Sequence, residues 1–262
     1  MGVLNVTSDS FSDGGLYLDY EAAVRRGREM IAEGADLIDV GGESTRPGAG
    51  TVPSEEELSR VVPVVEALAG DVRVSIDTTK ASVAHAALSA GATILNDVSS
   101  SLAAVAAEHG AGFVTMHRKG KPADMQEDPR YDDVVVEVRD FLMRHACEAR
   151  EAGVSELYID PGIGFGKTVR HNLQLLAALP ELVATGIPVL VGTSRKGFIG
   201  HLGAGGSVDG RVGDVSPLPA GDRLEGSLAS AVWAMACGVA LVRVHDVAAT
   251  VQAARLIRET AA

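Results

Sequence analysis

The residues best suited to chemistry in this chain each follow a short apolar segment. Asp77 in SIDT, Asn96 in NDVS and Asp160 in DPGIGFGK supply two carboxylates and an amide, and Lys196 in GTSRK supplies a cation. Together they suit a flat heterocycle with several N–H donors and a ring carbonyl. Because each buried polar atom needs a partner, such a site would strongly reject a ring that lacks these groups.

A second group of residues has the character of an anion site. Arg46, Arg243 and His245 supply positive charge and N–H donors of the kind that bind phosphate. Asn5 offers one neutral oxygen, which could complete the shell of a Mg²⁺ ion held mainly by water and substrate phosphates. The sequence has no Cys/His cluster of the zinc type, and neither SRK nor GFGK has P-loop spacing.

Each of these residues also has a structural explanation when it is taken alone. Asp77 could cap the next helix, Asn96 could hold a turn, and Lys196 or Arg243 could be a solvated charge. The pattern as a whole argues otherwise, because a polar residue follows every predicted strand, including His117 after the fifth. We therefore expect a functional site where the strands end.

The elements that must position these residues alternate regularly. The predicted strands are 2–6, 36–40, 72–76, 93–95, 112–116, 157–159, 189–191 and 240–244. The predicted helices are 20–33, 54–69, 80–90, a short one near 102–109, 133–152, 171–184, 222–237 and 246–260. This alternation, without a linker, predicts an α/β fold with residues 1–262 in a single (β/α)₈ barrel; a doubly wound open sheet is the alternative.

Two local patterns add detail. Ser54, with Glu57 three positions later, predicts a capping box at the start of helix 54–69. Segment 200–221 is rich in Gly and contains Pro217 and Pro219. It follows the seventh strand, where a barrel carries a βα loop, and we interpret it as a mobile insertion rather than a functional lid.

The composition narrows the classes of partner. The chain has 35 acidic and 23 basic residues, a formal net charge of −12, which argues against nucleic acid and membrane surfaces. No apolar run reaches about 18 residues, and the start lacks the pattern of a signal peptide. The two cysteines are far apart and suggest neither a disulfide nor zinc. We expect a cytoplasmic protein that acts on small molecules.

Eight segments of the sequence resemble one known family, and they occur in that family's order. They are MGVLNVTSDSFSDGG, DVGGESTRPGA, SIDT, NDVS, MHRKGKPADMQEDPRYDDVV, DPGIGFGKT, GTSRKGFIG and RVHDV. The chain resembles the bacterial dihydropteroate synthases, the folate-pathway enzymes that sulfonamides inhibit. The resemblance extends over nearly the whole chain.

This resemblance implies a fold and an activity. Members of the family are (β/α)₈ barrels, commonly homodimers, and use Mg²⁺. They join 6-hydroxymethyl-7,8-dihydropterin diphosphate to 4-aminobenzoate, which releases diphosphate and forms 7,8-dihydropteroate. The pterin C–O bond is thought to ionise first, and the aniline nitrogen then attacks the pterin methylene.

The resemblance also gives roles to individual residues. The pterin would be held by Asp77, Asn96, Asp160 and Lys196, and Asn5 would meet Mg²⁺. The diphosphate would be held by Arg46, Arg243 and His245. The aminobenzoate would be surrounded by Thr45, Pro47, Phe11, Phe165 and Lys196. The loop that contains Phe11 is expected to close over the bound pterin, with Asp13 near the developing cation.

The sequence departs from the family pattern at three places. It starts directly at the first motif strand, where relatives usually have a lead-in segment, which raises the question of how the barrel bottom closes. Ser8 stands where many relatives have Pro, and a turn accepts either residue. Gly197 stands where relatives often have a Ser near the aminobenzoate carboxylate, so only a backbone N–H could serve there.

Three other functions remain open at this point. A methyltetrahydrofolate-dependent methyltransferase would share the pterin contacts but would not need Arg46, Arg243 and His245. A non-catalytic pterin-binding paralogue should have damaged loop motifs, and these are intact. A phosphosugar-binding barrel would have no use for the acid–amide set.

Overall fold

The eight predicted strands are present in a computed structural model that describes residues 1–7, 15–44, 50–120, 125–210 and 212–261, with the backbone alone for 15–19 and 261. They are β1 (Gly2–Asn5), β2 (Leu37–Gly41), β3 (Arg73–Asp77), β4 (Ile94–Asp97), β5 (Gly112–Met116), β6 (Leu157–Asp160), β7 (Leu190–Val191) and β8 (Leu241–Val242). Each begins and ends within two residues of its predicted bounds.

The strands form a closed parallel barrel. Strands β1 to β6 pair in chain order, and β7 pairs with β8. Parallel bridges between Ile159 and Val189 and between Gly2 and Val244 join these two sheets at both edges. Val3 donates its backbone N–H to Val244 at 2.9 Å, so the first strand closes the barrel. The predicted barrel is confirmed, and the open sheet is wrong.

The helices lie between consecutive strands. They are α1 (Gly15–Ala32), α2 (Ser54–Leu68), α3 (Ala81–Ser89), α4 (Ala103–Glu108), α5 (Val134–Glu151), α6 (Val169–Ala177), α7 (Leu179–Val183), α8 (Gly197–Gly203), α9 (Leu224–Ala236) and α10 (Val247–Ala261). Within the described ranges, no helix is both long enough and apolar enough to cross a bilayer.

Three local predictions need correction. The single helix 171–184 is in fact α6 followed by α7, because Pro180 lies at the start of α7 and cannot donate to a continuing helix. The capping box is wrong: Pro53 is the N-cap of α2, and no side chain caps it. Glu57 is instead fully buried and accepts a hydrogen bond from Thr78 at 2.7 Å. The first part of segment 200–221 is helical, because α8 extends to Gly203.

The inner face of the barrel changes character along its axis. Side chains two positions apart on a strand share a face. A buried apolar cluster of Met1, Leu37, Ile94, Val114 and Leu190 fills the lower part. Two residues further along three of the strands come polar residues, namely Asp39 after Leu37, Asn96 after Ile94 and Asp160 after Tyr158. The fold therefore places polar groups above an apolar base, towards the carboxyl ends of the strands.

Candidate active site

An arginine between two aspartates forms the floor of the site. Arg243, just after β8, donates from Nε to Asp39 Oδ2 at 2.5 Å and from Nη2 to Asp77 Oδ2 at 2.8 Å. Burial opposes the charge of Arg243, but Asp39 and Asp77 outweigh it and raise the pKa of the guanidinium above its ordinary value. The guanidinium is therefore a permanent cation that links β2, β3 and β8.

Asp77 is the last residue of β3 and does not cap the next helix, whose N-cap is Lys80. Burial raises the pKa of Asp77 to about 7; Arg243 opposes the shift, and the neighbouring carboxylates of Asp39 and Asp97 add to it. Asp77 thus changes its charge near neutral pH, as a group that exchanges hydrogen bonds with a ligand can do.

The raised pKa of Asp77 predicts a pH-dependent stability. Between about pH 4 and pH 7 the folded protein keeps a proton on Asp77 that the unfolded chain has released, so the free energy of unfolding falls as the pH rises through this window. We expect Asp77→Asn to flatten this slope in urea unfolding measured across the window. The matched control Asp209→Asn, in an exposed ion pair with Arg170, should keep it. An equal slope in wild type and Asp77→Asn would contradict the prediction.

Asn96 and Asp160 complete the polar floor. Asn96 donates from Nδ2 to Asp39 Oδ2 at 3.2 Å, so it does not simply hold a turn. Asp160 ends β6 and accepts the backbone N–H of Gly162 at 2.7 Å. Burial raises the pKa of Asp160, and Lys196 is the strongest opposing influence. Both side chains are almost completely buried, which suits recognition of a ring with fixed donors.

Lys196 and Phe165 stand beside this floor. The Lys196 ammonium donates to the carbonyl of Ile163 and lies 4.6 Å from the centre of the Phe165 ring. Burial lowers the pKa of Lys196 to about 8, and Asp160 opposes this shift. The structure thus brings together a cation, an aromatic face and a carboxylate, as the sequence predicted for Lys196, Phe165 and Asp160.

His245 lies at the exit of β8, facing the loop after β7. Its Nδ1 is 3.0 Å from Ser194 Oγ, and its backbone N–H donates to the same oxygen at 3.1 Å. Arg195 and Asp246 form an ion pair that ties these two strand exits together. The contact with Ser194 fixes the orientation of the imidazole at the rim.

Asn5, which the resemblance predicts to meet Mg²⁺, lies at the carboxyl edge of the barrel. It ends β1, and Gly41 and Asp77 occupy the paired positions on β2 and β3. A Cβ atom on Gly41 would lie 3.8 Å from Asn5 Oδ1 and 3.6 Å from Asp77 Cβ, so the glycine leaves open space between these two side chains. Within the described ranges, three or more His, Cys, Asp or Glu side chains do not gather into a metal cage. One neutral oxygen suits an ion held mainly by substrate and water.

Five predicted site residues lie outside the described residues. They are Phe11, Asp13, Thr45, Arg46 and Pro47. Glu43 and Val52 lie on either side of the segment that contains Thr45, Arg46 and Pro47. Glu43 accepts the backbone N–H of Val52 at 3.2 Å, and Lys80 pairs with both Glu43 and Glu57. This network fixes the described ends of that segment next to β3.

Comparison with known proteins agrees with this geometry. Residues 1–245 match the model of the family described as pterin binding enzyme. The chain belongs to this family. It is 51% identical to the dihydropteroate synthase of Mycobacterium leprae, over 98% of this chain and 91% of that protein, and 46% identical to that of Escherichia coli K12, over 99% and 90%.

Solved structures of the family show the same likeness. A Yersinia pestis dihydropteroate synthase in complex with a sulfonamide drug has a TM-score of 0.89 at 44% identity, and covers 100% of this chain and 93% of its own. The Xanthomonas albilineans dihydropteroate synthase with 4-aminobenzoic acid has a TM-score of 0.89 at 46% identity, with 100% and 92% covered.

Two residues of this pterin-binding barrel escaped the sequence analysis. Asp39 lies in the middle of β2, and its signal was a single acid within an otherwise apolar strand. Lys167 ends the GFGK segment, which lacks P-loop spacing. Lys167 is 1% exposed, and its Nζ lies 2.9 Å from His117 Nδ1. A charged residue within a buried apolar segment must have partners there. A lone acid or lysine in such a segment is therefore the sequence signal that could have identified Asp39 and Lys167.

Proposed function

We propose that this member of the pterin-binding enzyme family is a dihydropteroate synthase, a transferase of folate biosynthesis. It would join 6-hydroxymethyl-7,8-dihydropterin diphosphate to 4-aminobenzoate and release diphosphate and 7,8-dihydropteroate. The observation that carries the proposal is the polar floor of the buried Asn96 and Asp160 and the largely buried Asp77, with Lys196 acting electrostatically on Asp160. Identity of 51% to a dihydropteroate synthase supports it.

The floor is suited to a ring that becomes positively charged. In the proposed reaction Asp77 and Asp160 accept hydrogen bonds from ring N–H groups, and Asn96 both donates and accepts. When the pterin C–O bond ionises, positive charge develops on the ring, and the two carboxylates stabilise it. This interaction is stronger in the transition state than in the ground state, so it accelerates the step.

The leaving diphosphate would be held at the strand exits above this floor. Arg46, Arg243 and His245 supply cationic or N–H groups for its oxygens. Asn5 would hold a Mg²⁺ ion that neutralises charge on the diphosphate when it is bound. Arg243 also contacts Asp77, so a single residue would connect the diphosphate side of the site with the ring side.

The second substrate needs position more than activation. The Phe165 ring and the Lys196 ammonium would lie beside 4-aminobenzoate, together with Thr45, Pro47 and Phe11. The aniline nitrogen is a weak base and is already nucleophilic, so its attack requires alignment and not a general base. Asp13 would lie near the pterin cation once its loop has closed. We therefore assign neither an enzyme nucleophile nor a covalent intermediate.

A direct assay tests the proposed function. Purified protein with the pterin diphosphate, 4-aminobenzoate and Mg²⁺ should release diphosphate and form 7,8-dihydropteroate. Omission of 4-aminobenzoate should prevent formation of the product. Absence of release with both substrates present would refute the synthase function, and methyl transfer from methyltetrahydrofolate would favour the methyltransferase alternative.

Sulfonamides should inhibit this enzyme in competition with 4-aminobenzoate. The segment GGESTRPGA has no insertion between Thr45, Arg46 and Pro47, so no extra residue alters the segment proposed to surround the aminobenzoate. We expect the apparent Ki to rise linearly with the concentration of 4-aminobenzoate. When the pterin diphosphate is varied within its saturating range, the apparent Ki should stay constant. A Ki far above the KM for 4-aminobenzoate would contradict this expectation.

We also propose that the protein is a cytoplasmic homodimer, on its resemblance to bacterial relatives. The surface between α6, α8 and α9 has a groove of about 510 Å³ lined mostly by apolar side chains, and Trp233 in it is 49% exposed. A second copy that covered this groove would remove the indole from water. Sedimentation velocity tests the assembly: a sedimentation coefficient of a monomer at micromolar concentration would refute it.

A further inference from the structure

The loop after β6 is held by an unusual set of hydrogen bonds. Each of five consecutive carbonyls, those of residues 162–166, accepts a hydrogen bond from a side chain. In the order of the acceptors, the donors are Lys167, Lys196, Gln126, Lys167 and Tyr131. Loop carbonyls commonly face water, so a loop whose carbonyls are all bound by side chains has a defined position.

Lys167 is the innermost of these donors. Its Nζ lies 2.9 Å from Gly162 O, 3.0 Å from Phe165 O and 2.9 Å from His117 Nδ1. Within the described part of the chain, it has no carboxylate as an ion-pair partner. Burial lowers the pKa of Lys167 well below its ordinary value, Lys196 adds to this effect, and Asp160 opposes it. Burial of an amine is costly, and these contacts, a longer one to His117 O at 3.4 Å and the charge of Asp160 compensate for it.

Two glycines bring this loop against the end of β5. Gly162 has φ +64°, and a Cβ atom there would lie 1.8 Å from the carbonyl oxygen of His117. Gly166 has φ +63°, and a Cβ atom there would lie 2.1 Å from the carbonyl oxygen of Lys119. The two backbones are therefore in direct contact, and the Lys167 amine is enclosed at their junction.

The same loop carries or contacts several groups of the site. Asp160 accepts the N–H of Gly162 at 2.7 Å, the Phe165 ring lies 4.6 Å from the Lys196 ammonium, and that ammonium donates to Ile163 O. The position of the loop therefore determines where Phe165 and Lys196 meet. The Asp77–Arg243–Asn96 part of the floor is built from other strands and does not depend on this loop.

We propose that Lys167 is a positioning residue for the second substrate: its amine fixes the loop of residues 162–166, and thereby the Phe165 ring and the Lys196 ammonium. The inference rests on the proposed function, in which these two groups surround 4-aminobenzoate. Lys167 itself contacts the loop and His117 and not the substrate. Its loss should therefore affect the aminobenzoate more than the pterin, because Asp77 and Asn96 would still hold the pterin when Lys196 and Asp160 shift with the loop.

Three variants of the full-length protein test this inference. Lys167→Met removes all donors, Lys167→Gln keeps two N–H donors on a slightly shorter side chain, and Arg258→Met removes an exposed cation far from this loop as the control. For each, kcat and KM are measured for both substrates. Hydrogen exchange of the peptide that covers residues 162–166 is measured on the same samples.

We expect Lys167→Met to lower kcat/KM for 4-aminobenzoate by about 100-fold, mainly through KM, because a misplaced contact of about 1 Å has an effect of this size. The KM for the pterin diphosphate should change by less than about threefold, and the loop amides should exchange about tenfold faster. Lys167→Gln should recover about tenfold of the lost kcat/KM, and Arg258→Met should behave as wild type.

Other results would overturn the inference. Unchanged loop exchange in Lys167→Met, equal losses for both substrates, or a Gln variant no better than the Met variant would each do so. If Lys167→Met does not fold, the Gln variant decides by the same criteria. If the wild-type protein makes no dihydropteroate, the proposed function fails, and the exchange comparison alone decides whether Lys167 fixes the loop.

Discussion

Replacement of Lys196 by alanine should lower kcat/KM by about 1000-fold, the effect of removing a preorganised electrostatic contact from a water-poor site. The side chain combines contacts with Ile163 O and the Phe165 ring with an electrostatic influence on Asp160. Its loss would misplace the second substrate and weaken the ionised form of Asp160. Steady-state kinetics with both substrates measures the effect.

The pH profile distinguishes the charge of Lys196 from its bulk. The pKa of Lys196 is about 8, so the ammonium loses its proton as the pH rises through this value, and kcat/KM should fall with it. Lys196→Arg should remove this alkaline limb while keeping part of the activity. Arg258→Ala, which removes an exposed cation away from the site, serves as the control and should keep both rate and profile. Near-normal kcat/KM in Lys196→Ala would show that the assignment is wrong.

Replacement of Arg243 by methionine should destabilise the fold by about 3–5 kcal/mol at neutral pH, the usual cost of breaking a buried ion pair from one side. Arg243 bridges Oδ2 of Asp39 and Oδ2 of Asp77, and Asp39 Oδ1 has no hydrogen-bond partner among the described residues. Without the guanidinium, the two carboxylates lose the cation between them, and only the Asn96 amide still donates to Asp39. Chemical unfolding of wild type and variant measures the loss.

The destabilisation should shrink in acid. Arg243 opposes the upward shift of the Asp77 pKa, so without it this pKa would rise further, and Asp77 would be protonated and neutral in the folded variant at low pH. Arg170→Met, which removes an exposed ion pair with Asp209, is the control and should change stability little. An equal loss of stability for the two variants would contradict the buried role of Arg243.

The sequence predicts those parts of the site that depend on the regular pattern of strands and on the position of a residue at the end of a strand. Asp77, Asn96 and Asp160 stand at the ends of strands, and parallel strands of a barrel end on one face, so their convergence follows from local pattern. The partners of these residues do not. Arg243 contacts Asp39, which is distant in sequence, and only the closed barrel places β2 and β8 on either side of β1.

The failures have the same origin. Ser54 and Glu57 have the spacing of a capping box, but Glu57 is drawn into the interior by Thr78 and Lys80, which the sequence places on another element. Lys167 likewise belongs to a glycine-rich motif. The role of these glycines is to let the loop lie directly against the end of β5, and this contact cannot be read from the sequence. Tertiary partners override a local preference worth about 1 kcal/mol.

The apolar cluster below the polar floor determines from which end a ligand can reach the site. All five of its residues are nearly or fully buried, so the lower end of the barrel is closed; they are Met1, Leu37, Ile94, Val114 and Leu190. For the described residues, the polar floor is therefore open only towards the carboxyl ends of the strands. If two ligands bind there one above the other, the deeper one must enter first, and a product joined from them must leave by the same opening.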